Sequence, residues 1–540
     1  MRSGAALLLA GLLLGTPAQA QALPGDCGTI IVPPGLGIGP GADVTSLNPL
    51  FITSEYNLEA AYLVFEQLLW VNRDHQIDYT RSVASAVTTP DQGQTYDITL
   101  RPWEWSDGVP VTSADVLYTW QLIRAYGHRY AQYGLGGVPA LVASVTAPDA
   151  AHVLIKLTRP VNPQWFILNG LPLFIPLPAH VWGQYSTDQI WQGQSDPAFF
   201  AVADGPLRLT ALNVGIDAEF APNPRYGGTP MHFSRFIMRF EDAEAKQLQA
   251  AQAGELDIAN IPFALYAKAV TLPGHYVVTL PPPYSWHELI PNMTNTTTPF
   301  FADLRVRQAL ADGIDQDRLI ALAMHGHGVP AHGPVPAVPD TFLSPAAKAG
   351  QYPTGYNLAA ARALLAQAGF TPGPDGILRK GNLRFAFTLE IPAGQPLRIE
   401  MAESIQQDLR ALGIDMDVRQ VELNQLLTAM INRPQAWQAI LVGMTLSPYP
   451  SGEELFAHGA FFNNNGYASA QMDQLIAQST TAPGLSGLYA YQDYAAAQQP
   501  VIFLPAPQYS VLVRDGLHGV EDFINPLGLW APEKLTCGAP

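Results

Sequence analysis

Cysteine is almost missing from this chain: Cys27 and Cys537 are the only two in 540 residues. A scaffold built on several disulfides is therefore excluded. Long apolar runs are missing too. Beyond residue 14 no stretch approaches the ~20 apolar residues that a bilayer-spanning helix needs. Basic charge is scarce, with 28 Lys and Arg against 45 Asp and Glu, a formal net charge of −17 and a sequence pI of about 5.0. Long-range fields then oppose nucleic acid and anionic membrane surfaces, so neither is an expected partner. The signatures of common hydrolases and nucleotide enzymes are absent as well: no G-x-S-x-G elbow, no H-E-x-x-H helix, no G-x-x-x-x-G-K-[ST] loop. Gly35, Gly37, Gly39 and Gly41 are closely spaced, but the prolines among them, Pro33, Pro34 and Pro40, break any dinucleotide fingerprint and leave a turn-rich lead-in.

The first twenty residues have the makings of an export signal: Arg2, an apolar run from Leu7 to Leu14, and the small-residue cleavage site Ala18-Gln19-Ala20. Asp26 precedes Cys27, which does not fit a lipid-acceptor site, so the expectation is a free soluble protein starting near Gln21. In an oxidising compartment Cys27 and Cys537 can pair, provided that the two chain ends meet. The other reading is two unrelated thiols. At this length the chain divides into two or three domains. With 48 prolines and 48% apolar residues, it reads as a loop-rich globule rather than a disordered chain.

Apolar periodicity switches repeatedly between two and 3.6 residues, which predicts an α/β protein with mixed sheets flanked by helices. Tyr96, Ile98 and Leu100 alternate as a strand. A turn follows at Ser106-Asp107-Gly108, and Thr112 and Asp115 have capping-box spacing at the start of a helix running toward Ala125. The clearest stretch is Leu383 to Gly443. A strand from Leu383 to Ile391 precedes a helix carrying Met401, Ile405, Leu409 and Leu412 that ends at Gly413. Ile414, Met416 and Val418 form the next strand, Leu423 to Ile431 a second helix, and Ala439 to Gly443 a third strand. Three strands in one parallel sheet are expected. Ligands of open α/β sheets bind beyond the carboxyl ends of such strands, which singles out Pro392–Arg398 and Met444–Pro450.

Two weaker chemical readings compete with these loops. His325, His327 and His332 lie close together, but without an acidic or cysteine neighbour they read as a solvated loop rather than a metal site, and no cofactor is expected. Scattered carboxylates leave open a hydrolase using an acid pair.

Several segments in order resemble the family 5 extracytoplasmic solute-binding proteins of ABC importers, the class with oligopeptide, dipeptide and nickel binders. They are Ser46-Leu47-Asn48-Pro49 with Val64-Phe65-Glu66-Gln67-Leu68, then Leu100-Arg101 with Trp105 to Val116, and Asp204-Gly205-Pro206-Leu207. Asn223-Pro224-Arg225-Tyr226-Gly227-Gly228, Gly254-Glu255-Leu256-Asp257, Phe301 to Leu310 with Gly313-Ile314-Asp315, and Asn464 to Tyr467 with Met472 to Ile476 complete the series. Most of these read as structural, with Arg305, Arg307 and Asp315 pairing among themselves on a helix face. The resemblance implies a two-lobe periplasmic-binding-protein-like fold. Lobe I comprises 21–72, 201–280 and 499–540, an inserted domain 73–200, and lobe II 281–498, which puts Cys27 and Cys537 in one lobe.

By the same resemblance the protein is a monomer without catalytic activity. It captures a small solute or short peptide in the periplasm and hands it to an ABC permease driven by a cytoplasmic ATPase. In peptide-binding members an acid just after the strand equivalent to Ala439–Gly443 grips the peptide amine. Here Met444 and Ser447 replace the expected tryptophan and acid, with Glu453 and Glu454 a few residues on. Arg398, at a helix start, is the expected carboxylate partner. Tyr56, Trp286 and His287 are expected on the cleft wall with Met444, Thr445 and Ser447. Solutes without a free α-amine, namely an opine, a sugar or a nickel-metallophore complex, stay open as the alternative.

Overall fold

The computed structural model describes residues 26–39, 43–241, 243–352 and 355–538. The export segment, its cleavage site and Gly41 lie outside the described residues. Four larger sheets organise the chain. In the first, Thr29–Val32 pairs in parallel with Arg235–Arg239, which is followed by the antiparallel strands Asp217–Pro222 and Leu207–Asn213. A second antiparallel sheet sets Ser510–Arg514 between His275–Thr279 and Ile258–Asn260. Asp257 links the two: its carboxylate accepts the Ile31 N–H at 2.6 Å and the Arg514 guanidinium, and its carbonyl accepts the Arg514 N–H at 3.0 Å. The C-terminal segment thus returns to strands from the chain's beginning.

A third sheet, all antiparallel, uses only residues 84–157. Its helix Ser113–Tyr126 opens with the expected capping box, the Asp115 carboxylate accepting the Thr112 N–H at 2.8 Å. Gly205, in the Asp204-Gly205-Pro206 segment, packs so closely that a Cβ would stand 2.7 Å from the Leu63 carbonyl. Any larger residue would push this segment off the helix Glu55–Val64.

The fourth sheet places the cleft. Ala386–Pro392 lies between Asp415–Val421 and Ala439–Thr445, both parallel to it, as the periodicity predicted. The chain then adds two strands that periodicity did not reveal, Ser285–Pro291, antiparallel to Ala439–Thr445, and Ile502–Leu504, antiparallel in turn to Ser285–Pro291. Leu389, Ile391, Met401, Ile405 and Leu409 are buried between this sheet and the helix Pro396–Ala411. Each such side chain contributes roughly 1.5–3 kcal/mol.

Three expectations need correction. The strand expected from Leu383 breaks at Phe385, because Leu383–Arg384 pairs instead with Leu378–Lys380 in a small separate sheet. Arg305, Arg307 and Asp315 do not pair with one another. Arg305 binds Asp303 at 2.6 Å, and Arg307 donates to the carbonyls of Phe301, Ala302, Gln498 and Gln499. Asp315 caps the helix Gln316–Ala323. Of Met444–Pro450, the part beyond Thr445 turns away from the sheet: Tyr449 is buried, and its N–H donates to the Asn169 side chain at 2.9 Å.

Cys27 and Cys537 are joined, with Cα atoms 5.1 Å apart across 510 positions. Closing nearly the whole chain puts the stabilisation at the upper end of the usual ~2–5 kcal/mol. A Cys27→Ser, Cys537→Ser double variant is expected to unfold several degrees below the parent in a thermal scan. An unchanged midpoint, or two titratable thiols in the oxidised parent, would contradict the bond.

The interior also holds carboxylates that burial pushes upward: Glu66 to about 7, Glu288 to about 7, and Glu453 to about 8 with the Glu454 charge adding to it. These groups bind more protons folded than unfolded, so each removes stability as pH rises from its unfolded value through its folded one. Burial pulls His75 down to about 4 and His287 to about 3. Their contribution runs the other way, with stability rising with pH, and it levels off only above the ordinary imidazole value of about 6.5. Between pH 6.5 and 8 the raised carboxylates outweigh this fading opposition, so the unfolding midpoint is expected to fall across that window. The fall should be shallower in Glu453→Gln, whose amide oxygen can still accept from Trp165. A midpoint that is flat or rises would refute this.

Candidate ligand-binding cleft

The carboxyl ends of Ala386–Pro392 and Ala439–Thr445 open into a cavity of about 640 Å³. That is ample for a small solute. Sheet register builds one wall. Antiparallel pairing sets Trp286 opposite Met444 and His287 opposite Gly443, so residues some 150 positions apart become neighbours. Helix Pro396–Ala411 starts just past its strand and carries Arg398 in its first turn.

The opposite wall comes from the other sheets: Tyr56 on helix Glu55–Val64, Glu244 at the start of helix Glu244–Gln252, Pro262 and Phe263, and Tyr509 just before Ser510–Arg514. Ile38 and Gly39 of the glycine-rich lead-in also reach the cavity. That lead-in is more than a string of turns. Gly35, Gly37 and Gly39 all have positive φ, and the buried Asn260 side chain accepts the Gly37 N–H at 3.0 Å and donates to the Gly35 carbonyl at 3.1 Å.

Arg398 is the cation of the cleft. Its Nε is buried without a hydrogen-bond partner, and among the described residues no carboxylate pairs with it. Burial holds it below the ordinary guanidinium value while Tyr509 and Tyr56 oppose that, and an arginine stays charged regardless. Gly443 makes room for it, since a Cβ there would lie 3.0 Å from its Nη2. Beside it His287 is buried. Its Nδ1 donates to the Pro505 carbonyl at 3.1 Å, which leaves Nε2 as the lone-pair nitrogen. Burial and the neighbouring Arg398 keep this imidazole neutral.

Carboxylates line the cavity as well: Glu55, Glu244 and Glu400. Burial raises Glu244 to about 7. Burial, reinforced by Glu59, raises the Tyr56 hydroxyl to about 12, so it remains a donor at neutral pH.

Of the seven residues expected at the site, Tyr56, Trp286, His287, Arg398, Met444 and Thr445 share this cavity. Trp286 is 1% exposed, packs on Phe503 and donates to Glu288 at 3.1 Å, so it serves the core as much as the wall. Ser447 is not on the wall: its hydroxyl donates to Glu454 at 2.9 Å. Glu453 accepts from Trp165, and neither it nor Glu454 lines the cavity. His325 lines the cavity and His327 packs on Tyr266 at 4.1 Å, so that loop is part of the cleft rim. Among the described residues no three of His, Cys, Asp and Glu gather as a metal site. Tyr509, Glu244 and Phe462 were not foreseen. Tyr509 depends wholly on strand pairing, whereas an acid opening a helix, as Glu244 does, is a readable signal.

Among the described residues no helix is long and apolar enough to cross a membrane. The chain is 25% identical over 511 residues to the oligopeptide-binding protein AppA of Bacillus subtilis (strain 168), covering 90% of this chain and 88% of that one. The structure of Bacillus subtilis AppA in complex with a nonapeptide superposes with a TM-score of 0.74 at 21% identity, covering 96% of this chain and all of the other. Campylobacter jejuni NikZ in complex with Ni(L-His) also gives 0.74, at 19% identity and 92% and 96% coverage. The family model of the bacterial extracellular solute-binding proteins, family 5, matches residues 78–466, and the chain belongs to that family.

Proposed function

We propose that this protein is the solute-capturing component of an ABC importer and that its solutes are short peptides held by their free carboxylate. The observation that carries this reading is Arg398, a charged guanidinium on the cleft wall whose Nε has no hydrogen-bond partner among the described residues. A carboxylate supplies the charge-assisted, two-pronged bonding that such a fork favours. The relatives named as peptide binders support the ligand class.

The chain works after export, cut near Ala20, as a freely diffusing periplasmic monomer. Its lobes comprise 21–72, 201–280 and 499–540 on one side and 281–498 on the other, with 73–200 inserted. They close over the solute because it fits the closed state better, and the closed form is presented to a permease driven by a cytoplasmic ATPase. The cleft performs no bond chemistry. A second reading, a solute with no free α-amine, draws on Ser447, which stands where peptide binders carry an acid and is turned to Glu454.

Calorimetry with one tripeptide in three forms separates these readings. The free acid is expected to bind at least about tenfold more tightly than the C-terminal amide, and Arg398→Ala should erase that margin. Equal binding of acid and amide would refute the role of Arg398. An N-acetyl form that binds as well as the free amine would favour the second reading, and saturable stabilisation by opines or sugars alone would replace peptides. Any peptide cleavage on prolonged incubation would contradict the absence of catalysis.

A further inference from the structure

Helix Leu423–Asn432 differs from the rest of this acidic protein's surface: its ten residues, LNQLLTAMIN, include no charge. Leu426, Ala429 and Met430 form its buried face. A single packed face would leave polar residues outside. Instead Leu423, Leu427 and Ile431, spaced four apart, form a second apolar stripe, each between 36% and 46% exposed. Phe462 is 39% exposed, with its ring 4.9 Å from that of Phe461. Contiguous apolar surface of this kind marks a place that something covers.

What covers it follows from continuity. Leu423, Leu427, Met430 and Phe462 line the same cavity as Arg398. A solute anchored by an anionic group at the guanidinium therefore shares one cavity with the stripe, where a charged side chain would find no partner on the helix and an apolar one would shed water. We infer that Leu423, Leu427 and Phe462 form a specificity shelf that selects solutes carrying a bulky apolar group next to their anionic end, such as peptides with leucine- or phenylalanine-like side chains. This rests on the peptide-capture reading for its choice of peptides, but not for the shelf itself.

The test compares Ala-Ala-Ser, Ala-Ala-Leu and Ala-Ala-Phe by calorimetry on the parent and on a Leu427→Ser, Phe462→Ser double variant. It adds fluorescence of 1-anilinonaphthalene-8-sulfonate, an apolar anion that is not a peptide. Both substituted positions are partly exposed, so the variant's unfolding midpoint should match the parent's. The parent is expected to prefer the leucine and phenylalanine peptides over the serine peptide by about tenfold or more. The variant should lose most of that margin and more than half of the dye's emission gain. Equal affinities in the parent, or a margin that survives in the variant, would overturn the shelf. If no tripeptide binds, peptide capture fails and the dye decides: loss of emission in the variant supports a shelf for another apolar anion, and unchanged emission overturns it. A parent that is dimeric and a variant that is monomeric on size exclusion would assign the stripe to a second copy and overturn it too.

Discussion

The cleft depends on one register. Ser285–Pro291 is inserted antiparallel between Ala439–Thr445 and Ile502–Leu504, and that pairing decides which residues meet at the sheet's edge. A slip of one residue would exchange the two faces of the strand. Trp286 would then leave its packing on Phe503, and His287 would lose its place beside Gly443 and Arg398. The register is held by burial on both faces, with Leu289 in one core and Trp286 and Ile290 in another.

Electrostatics follow from that frame. The sheet wall supplies a cation that pairs with no carboxylate among the described residues and a neutral imidazole beside it, while Glu55 and Glu244 stand on the wall across from them. A zwitterionic solute meets complementary charge from two sides, and the tyrosine hydroxyls of Tyr56 and Tyr509 stay protonated to donate. Ser447, where the family resemblance leads one to expect an acid, has its hydroxyl engaged away from the cavity. Any grip on an amine must then come from acids elsewhere on the cleft wall.

Much of this was legible in the sequence wherever local periodicity and local chemistry agree. The parallel unit from Ala386 to Thr445, the cap at Thr112 and Asp115, and the placing of Arg398 at a helix start all follow from spacing within a few residues. Contacts that join distant segments were not legible. Nothing near Tyr509 announces a cleft residue, and the two strands added beside the parallel unit carry buried faces whose partners lie some 150 to 220 positions away. The glycines at 35, 37 and 39 read as plain turns because their meaning lies in Asn260, which ties them to the cleft wall from far along the chain. Helix Leu423–Asn432 shows the opposite case. Its surplus of leucines was readable, yet one apolar face and two look alike until the cavity shows what the second face meets.

Arg398 pairs with no carboxylate among the described residues, and the proposed role of the solute is to supply one. The most direct measurement is a crystal structure of the protein with a bound tripeptide. A ligand carboxylate oxygen is expected within hydrogen-bond distance of the Arg398 guanidinium, with His287 still donating to Pro505. A ligand carboxylate placed elsewhere, with Arg398 turned onto a carboxylate of the protein, would contradict it.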